Sequence, residues 1–218
     1  MDKSEFPEKA YEVFANHELL SNGYGIYIPS QQKEKTLGYD ALWHLKGTRF
    51  KAIALQYKIV SQYRRPPKML STPCFKFDLH KSAGCYEQHN IMVARHTHTR
   101  FPILAVYCVP TFVEYKKLYE YWKNGTIFDN SRLLIPLKQI SDSSYHYIAF
   151  DDTQALQFSK DPVSVENRHL DQIFESVEPI PSDYFTANRS NRRNEALEEL
   201  DAYLLSTQSM LITKMIDE

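Results

Sequence analysis

Three polar residues set into two apolar segments have the types and spacing to act together. Asp40 lies in Leu37-Gly38-Tyr39-Asp40-Ala41, and Gln56 and Lys58 lie two apart in Ala54-Leu55-Gln56-Tyr57-Lys58. Strand side chains repeat every two residues, so Gln56 and Lys58 share a face. If the segments pair as a hairpin about Lys46-Gly47-Thr48, Asp40 lies across from residues 54–58. An acid, an amide oxygen and an ammonium group then converge. A carboxylate with neutral oxygens suits a hard ion such as Mg²⁺, which keeps several of its waters. A lysine beside that ion can hold or deprotonate water, and the ion can stabilise charge on a phosphoryl group.

Gly38-Tyr39-Asp40 followed by Gln56-Tyr57-Lys58, behind a helix carrying Tyr11-Glu12, resembles the PD-(D/E)xK nuclease superfamily. The likeness is closest to its Mrr-like branch, where Gln replaces the motif's Asp or Glu. It covers about residues 6–60. The resemblance implies an α/β, restriction-endonuclease-like fold, a mixed central sheet flanked by helices. It implies Mg²⁺ or Mn²⁺ as cofactor and phosphodiester hydrolysis in DNA, commonly in prokaryotic restriction or phage defence. Carried over by position, Asp40 is the metal-binding acid, Gln56 the second motif position, Lys58 the catalytic lysine and Glu12 the supporting carboxylate. The metal is then expected on Asp40, the Gln56 side chain and the Tyr57 carbonyl, with Glu12 helping through water.

Three other acids compete with Glu12. On a helical wheel Glu12 falls opposite Ala10, Val13 and Phe14, Glu18 lies nearer the core-facing edge, and Glu8 and Glu34 are also in reach. Gln56 removes one negative charge from the site. That leaves open a catalytically degenerate scaffold that binds nucleic acid or protein, and a protein-binding module using the acidic C-terminal region.

The elements must bring these residues together. Apolar spacing predicts a helix over Pro7–Leu20, with Pro7 suited to a first turn. An extended stretch Tyr24–Pro29 and a polar segment Ser30–Thr36 follow. Strands are expected over Tyr39–Leu45 and Phe50–Ile59, then a proline-rich loop, then a half-buried strand Phe75–Leu79 by its alternation. A short helix is expected at Glu87–Ala94, a central strand at Ile103–Val109 and a helix at Phe112–Lys123. Short strands are expected at Leu133–Leu137 and Tyr145–Phe150, and helices at Val165–Val177 and Glu195–Ile216. This order predicts an α/β or α+β core over residues 1–150. Residues 151–218 are read as an acidic loop and C-terminal helices packed on the core or used for oligomerisation; the final helix can form a homodimer.

Composition narrows the alternatives. With six glycines in 218 residues, no G-x-G-x-x-G or G-x-x-x-x-G-K-[ST] can be drawn, which removes the common nucleotide cradles. The net charge is −1, yet Ala41–Phe77 holds only basic charges, while Asp151–Asp183 is acidic. The DNA contacts are therefore expected on Lys46, Lys51, Arg64, Arg65 and Lys68. Cys74, Cys85 and Cys108 share no C-x-x-C spacing and are expected to be reduced thiols. The polar N-terminus and the shortness of the apolar runs predict a cytoplasmic protein without a membrane span. His96 with His98, Gln88 with His89, His146, and Arg189 with Arg192 and Arg193 are secondary candidates.

Overall fold

The computed structural model describes residues 1–46, 52–79, 85–97, 103–140, 145–158, 162–170, 172 and 178–179. In chain order the elements are β1 (Asp2–Lys3), α1 (Glu8–Ser21), β2 (Ile26–Tyr27), α2 (Gln31–Leu37), β3 (Ala41–Lys46), β4 (Ala52–Tyr57), β5 (Ser61–Gln62) and β6 (Phe75–Leu79). They continue with α3 (Cys85–Thr97), β7 (Ile103–Pro110), α4 (Tyr115–Asn124), β8 (Ser131–Ile135), β9 (His146–Phe150), β10 (Ala155–Phe158), β11 (Val163–Arg168) and β12 (Glu178–Pro179). This is an α/β architecture, a large mixed sheet flanked by a few helices.

Continuous apolar runs make β4 and β7 the centre. Every residue of both strands is buried, the pattern of strands covered on both faces. They pair in parallel, with Gln56 opposite Tyr107. Ile53, Leu55 and Tyr57 join Leu104, Val106 and Cys108 in one core under Tyr11, Ala15 and Leu19 of α1 and Leu118 of α4. Ala52 and Ala54 join Ile103, Ala105 and Tyr107 in a second core with Met92 of α3. β3 pairs antiparallel with β4, Ala41 opposite Leu55, so the expected hairpin partners form; the turn residues lie outside the described set.

The sheet runs β1-β5-β6-β9-β10-β11-β8-β7-β4-β3-β12, with β2 also on β3. β11 divides its pairing: Val163–Val165 bond to β10, and Glu166–Arg168 bond to β8. The two halves of the sheet meet face to face on either side of this strand. Phe77 of β6 lies 5.0 Å, ring to ring, from Tyr107 of β7, and Phe75, Phe77, Ile148 and Phe150 share a core with Ala54 and Ala105.

Several expectations need correction. Val165–Val177 was expected as helix; Val163–Arg168 is a strand, because Val163 and Val165 alternate with polar residues and find partners on both sides. Ala155–Phe158, inside the expected acidic loop, is also a strand. The polar segment after Pro29 is a helix, closed by Ser30, whose side chain accepts from Lys33 N–H, and by Gly38 at φ 70°. The buried face of α1 is Tyr11, Glu12, Ala15, Asn16, Glu18 and Leu19, while Val13 is 51% exposed. The expected helix Glu195–Ile216, and with it the dimer surface, lies outside the described residues. No helix among the described residues is long and apolar enough to cross a membrane.

Buried polar groups tie α1 down. Glu18 accepts from the backbone N–H of Ile127 at 2.6 Å and of Phe128 at 3.2 Å. The Tyr11 hydroxyl bonds Ser131 Oγ at 2.7 Å and Cys108 Sγ at 3.3 Å. Glu18→Ala strands two buried donors. It should lower stability by about 1–3 kcal/mol for each, with Glu18→Gln losing less, as read from urea midpoints.

Candidate active site at the end of β4

Asp40 stands just before β3, and its position is set by its neighbour strand. Its N–H donates to Leu55 O at 2.8 Å. Its Oδ2 accepts from Tyr57 N–H at 2.7 Å and from Gln56 Nε2 at 2.9 Å. Asp40 and Gln56 are 6% and 2% exposed. With Nε2 turned to Asp40, Gln56 Oε1 is left buried without a hydrogen-bond partner. An orphaned buried acceptor of this kind costs free energy unless something binds it.

Burial raises the Asp40 carboxyl from its ordinary 3.8 to about 8; the Lys58 charge and the Tyr57 N–H oppose the rise, and Glu34 and Glu8 add to it. The pair therefore offers a carboxyl that keeps its proton at neutral pH and whose ionised form nearby positive charge favours, beside a buried carbonyl oxygen without a hydrogen-bond partner. That chemistry fits a hard divalent cation. Among the described residues no three His, Cys, Asp or Glu side chains cluster to hold a metal ion. A metal here would rest on one carboxylate and an amide.

Gln56 and Lys58 open onto a cleft of about 440 Å³ beyond the carboxyl end of β4. Its floor is Ile59–Ser61, where the chain crosses from β4 to β5, and its far wall is Lys76–Leu79 of β6. Lys3, Gln88 and Tyr107 also line it. Lys58 Nζ donates to Glu8 Oε1 at 3.2 Å and Oε2 at 3.4 Å. Tyr107 is oriented from behind. His89 Nε2 faces Lys138 O at 2.9 Å, so it carries the proton and donates, and Nδ1 accepts from the Tyr107 hydroxyl at 2.9 Å. Burial lowers His89 to about 4, so the imidazole stays neutral.

The structure thus brings Asp40, Gln56 and Lys58 to one strand end. Tyr57 contributes its backbone there; its ring lies on the α1 side, with the hydroxyl donating to Asn16 Oδ1 at 2.8 Å. Glu12, expected as the supporting carboxylate of the metal, makes no ion pair with Lys58, which pairs with Glu8. Glu12 is held by Lys9 at 2.6 Å, and the α1 acid that meets the site is Glu8, one turn earlier. Among the expected DNA contacts, Arg64 is exposed and paired to Asp2 at 2.6 Å. Arg65 and Lys68 are exposed on the same loop, and none of the three lines the cleft. The Lys46 side chain and Lys51 lie outside the described residues, as do the His96 side chain, His98, Arg189, Arg192 and Arg193. His146 is buried against Tyr86, ring centroids 5.5 Å apart. Lys3, Lys76 and Asp78 were not expected. The alternation of Phe75–Leu79 announced a polar face on that strand, but not that it borders a cleft.

No family model, curated protein or solved structure matches the chain.

A carboxyl held protonated in the fold stabilises it fully below about pH 4, and this contribution is lost as pH rises through about 8. Urea midpoints of the wild type should therefore fall between pH 5 and 8 relative to Asp40→Asn, whose profile should be flatter. Parallel profiles would contradict a raised Asp40.

Proposed function

We propose that the chain is a metal-dependent nuclease-like enzyme of restriction-endonuclease-like fold that hydrolyses phosphodiester bonds in DNA. The observation that carries this reading is the Asp40–Gln56 contact with Gln56 Oε1 buried and unbonded, next to Lys58 at the mouth of a cleft. Asp40 and Gln56 Oε1, with the Tyr57 carbonyl, would hold Mg²⁺ or Mn²⁺. The bound ion would offset negative charge on the phosphoryl oxygens and on the attacking oxygen. Lys58 orients the water for attack on phosphorus, and Glu8 holds the ammonium until substrate enters. The Tyr57 and Gln56 N–H groups fix which Asp40 oxygen remains for the ion. Prokaryotic restriction or phage defence is the setting this reading suggests, with DNA as partner and the final helix as the dimer contact.

A second reading is favoured by the acid count: Asp40 is accompanied by a neutral Gln, and Glu12 is taken up by Lys9. In that reading the chain is a nuclease scaffold that binds nucleic acid and cuts nothing.

Cleavage of plasmid and oligonucleotide DNA should require Mg²⁺ or Mn²⁺, and Asp40→Ala and Lys58→Ala should each lower the rate at least about 100-fold with the fold intact by circular dichroism. Wild-type rates in either variant would end the nuclease reading. Binding without metal dependence and without cleavage would select the scaffold.

Metal competes with the Asp40 proton, which leaves only near pH 8. Calorimetric Mg²⁺ affinity should therefore fall about tenfold per pH unit below 8. A pH-independent affinity would remove Asp40 from the metal site.

A further inference from the structure

The far wall of the cleft continues onto an aromatic surface. Lys76 and Asp78 line the cleft, and both bond the Tyr145 hydroxyl: Lys76 Nζ at 3.1 Å, and Asp78 Oδ1 as acceptor of a short bond. Lys76 Nζ also lies 5.0 Å from the Tyr147 ring centroid. Tyr147 is stacked on Phe158, centroids 4.8 Å apart and planes 6° apart, and Tyr145 packs on Tyr147 at 5.7 Å. Tyr147 is thus covered by Lys76 and Phe158. Tyr145 is the outermost ring of the row and is 46% exposed.

The lysines sort the same way. Lys76 is tied to Asp78 at 2.9 Å and Lys58 to Glu8 at 3.2 Å, whereas Lys3, exposed on β1, has no ion pair among the described residues. A cleft lined by Lys3, Lys58 and Lys76, next to a Tyr145 ring that is 46% exposed and carries Lys76 Nζ 5.6 Å from its centroid, is the arrangement that tracks a sugar-phosphate backbone and stacks its bases. A cleft of about 440 Å³ falls in the range of small-ligand sites, about 300–1,000 Å³. That suits one strand and does not suit a duplex with its bases paired.

We propose that the cleft and the Tyr145 ring form a path for single-stranded DNA, with phosphates on Lys3 and Lys58 and a base stacked on Tyr145. The proposal rests on the nuclease-like reading for its substrate class and narrows it to an unpaired strand, such as a free end or a melted segment. Lys76 and Asp78 hold the Tyr145 hydroxyl and so fix the angle at which the ring meets the strand.

The test is fluorescence anisotropy in EDTA, with labelled oligo-dT and a blunt duplex of equal length, on the full chain carrying Asp40→Ala. That background cannot cut, so a failed cleavage assay leaves this binding readable. Oligo-dT should bind at least about tenfold more tightly than the duplex. Tyr145→Ala should weaken oligo-dT binding about tenfold, and Tyr145→Phe, which keeps the ring, should stay within about twofold. Lys3→Ala should weaken binding and lower its salt dependence by about one phosphate contact. Equal or tighter duplex binding, an unaffected Tyr145→Ala, or a Tyr145→Phe as weak as the alanine variant would each overturn the proposal. So would the absence of oligonucleotide binding at low salt.

Discussion

The divided pairing of β11 is the constraint from which the rest of the molecule follows. By giving three residues to β10 and three to β8, this strand joins two sheet segments that then share one apolar core. The contact of Phe77 with Tyr107 is the sign of that closure, since four strands separate β6 from β7 in the pairing order. With the segments face to face, the carboxyl end of β4 opens into a gap walled by β6, and ligand sites in α/β sheets are commonly found beyond such strand ends. The same closure leaves β4 apolar on both faces along its length, so its polar groups fall at its end, where Gln56 and Lys58 stand.

Asp40 shows what burial does to the chemistry there. In water its carboxyl would be ionised at neutral pH. In this site two donors converge on Oδ2 and a lysine stands nearby, yet desolvation prevails and the proton stays until about pH 8. The group is neither a surface acid nor a satisfied structural one. Its raised pKa reflects a carboxyl whose charge is favoured only where positive charge or further donors offset the burial.

How much of this was legible in the sequence depends on the range of the interactions involved. The β3–β4 hairpin and the meeting of Asp40 with Gln56 followed from local rules: a glycine-bearing turn, strand alternation and a fixed spacing. The choice among the helix acids did not. A wheel built on Val13 and Phe14 turned α1 the wrong way, because its buried face is set by Tyr11 and Glu18 bonding to residues more than 90 positions away. The strand at Val163–Arg168 was hidden for the same reason: its pattern is short, its surroundings are acidic, and its partners are distant in sequence. The alternation of Phe75–Leu79 puts Lys76 and Asp78 on one polar face, but only closure of the sheet turns that strand into a wall.

The bonds that hold α1 have a further consequence for the order in which the molecule can be made. Tyr11 needs Cys108 and Ser131, and Glu18 needs the backbone of Ile127 and Phe128. On a ribosome these partners emerge long after the helix itself. The apolar side chains of α1 and the edge of β4 must therefore wait, uncovered, until β8 has been synthesised. Such high contact order slows folding and prolongs exposure of sticky surface. Helix α1 is thus translated before the partners that lock it, and the nascent chain's dependence on chaperones should be concentrated in that interval.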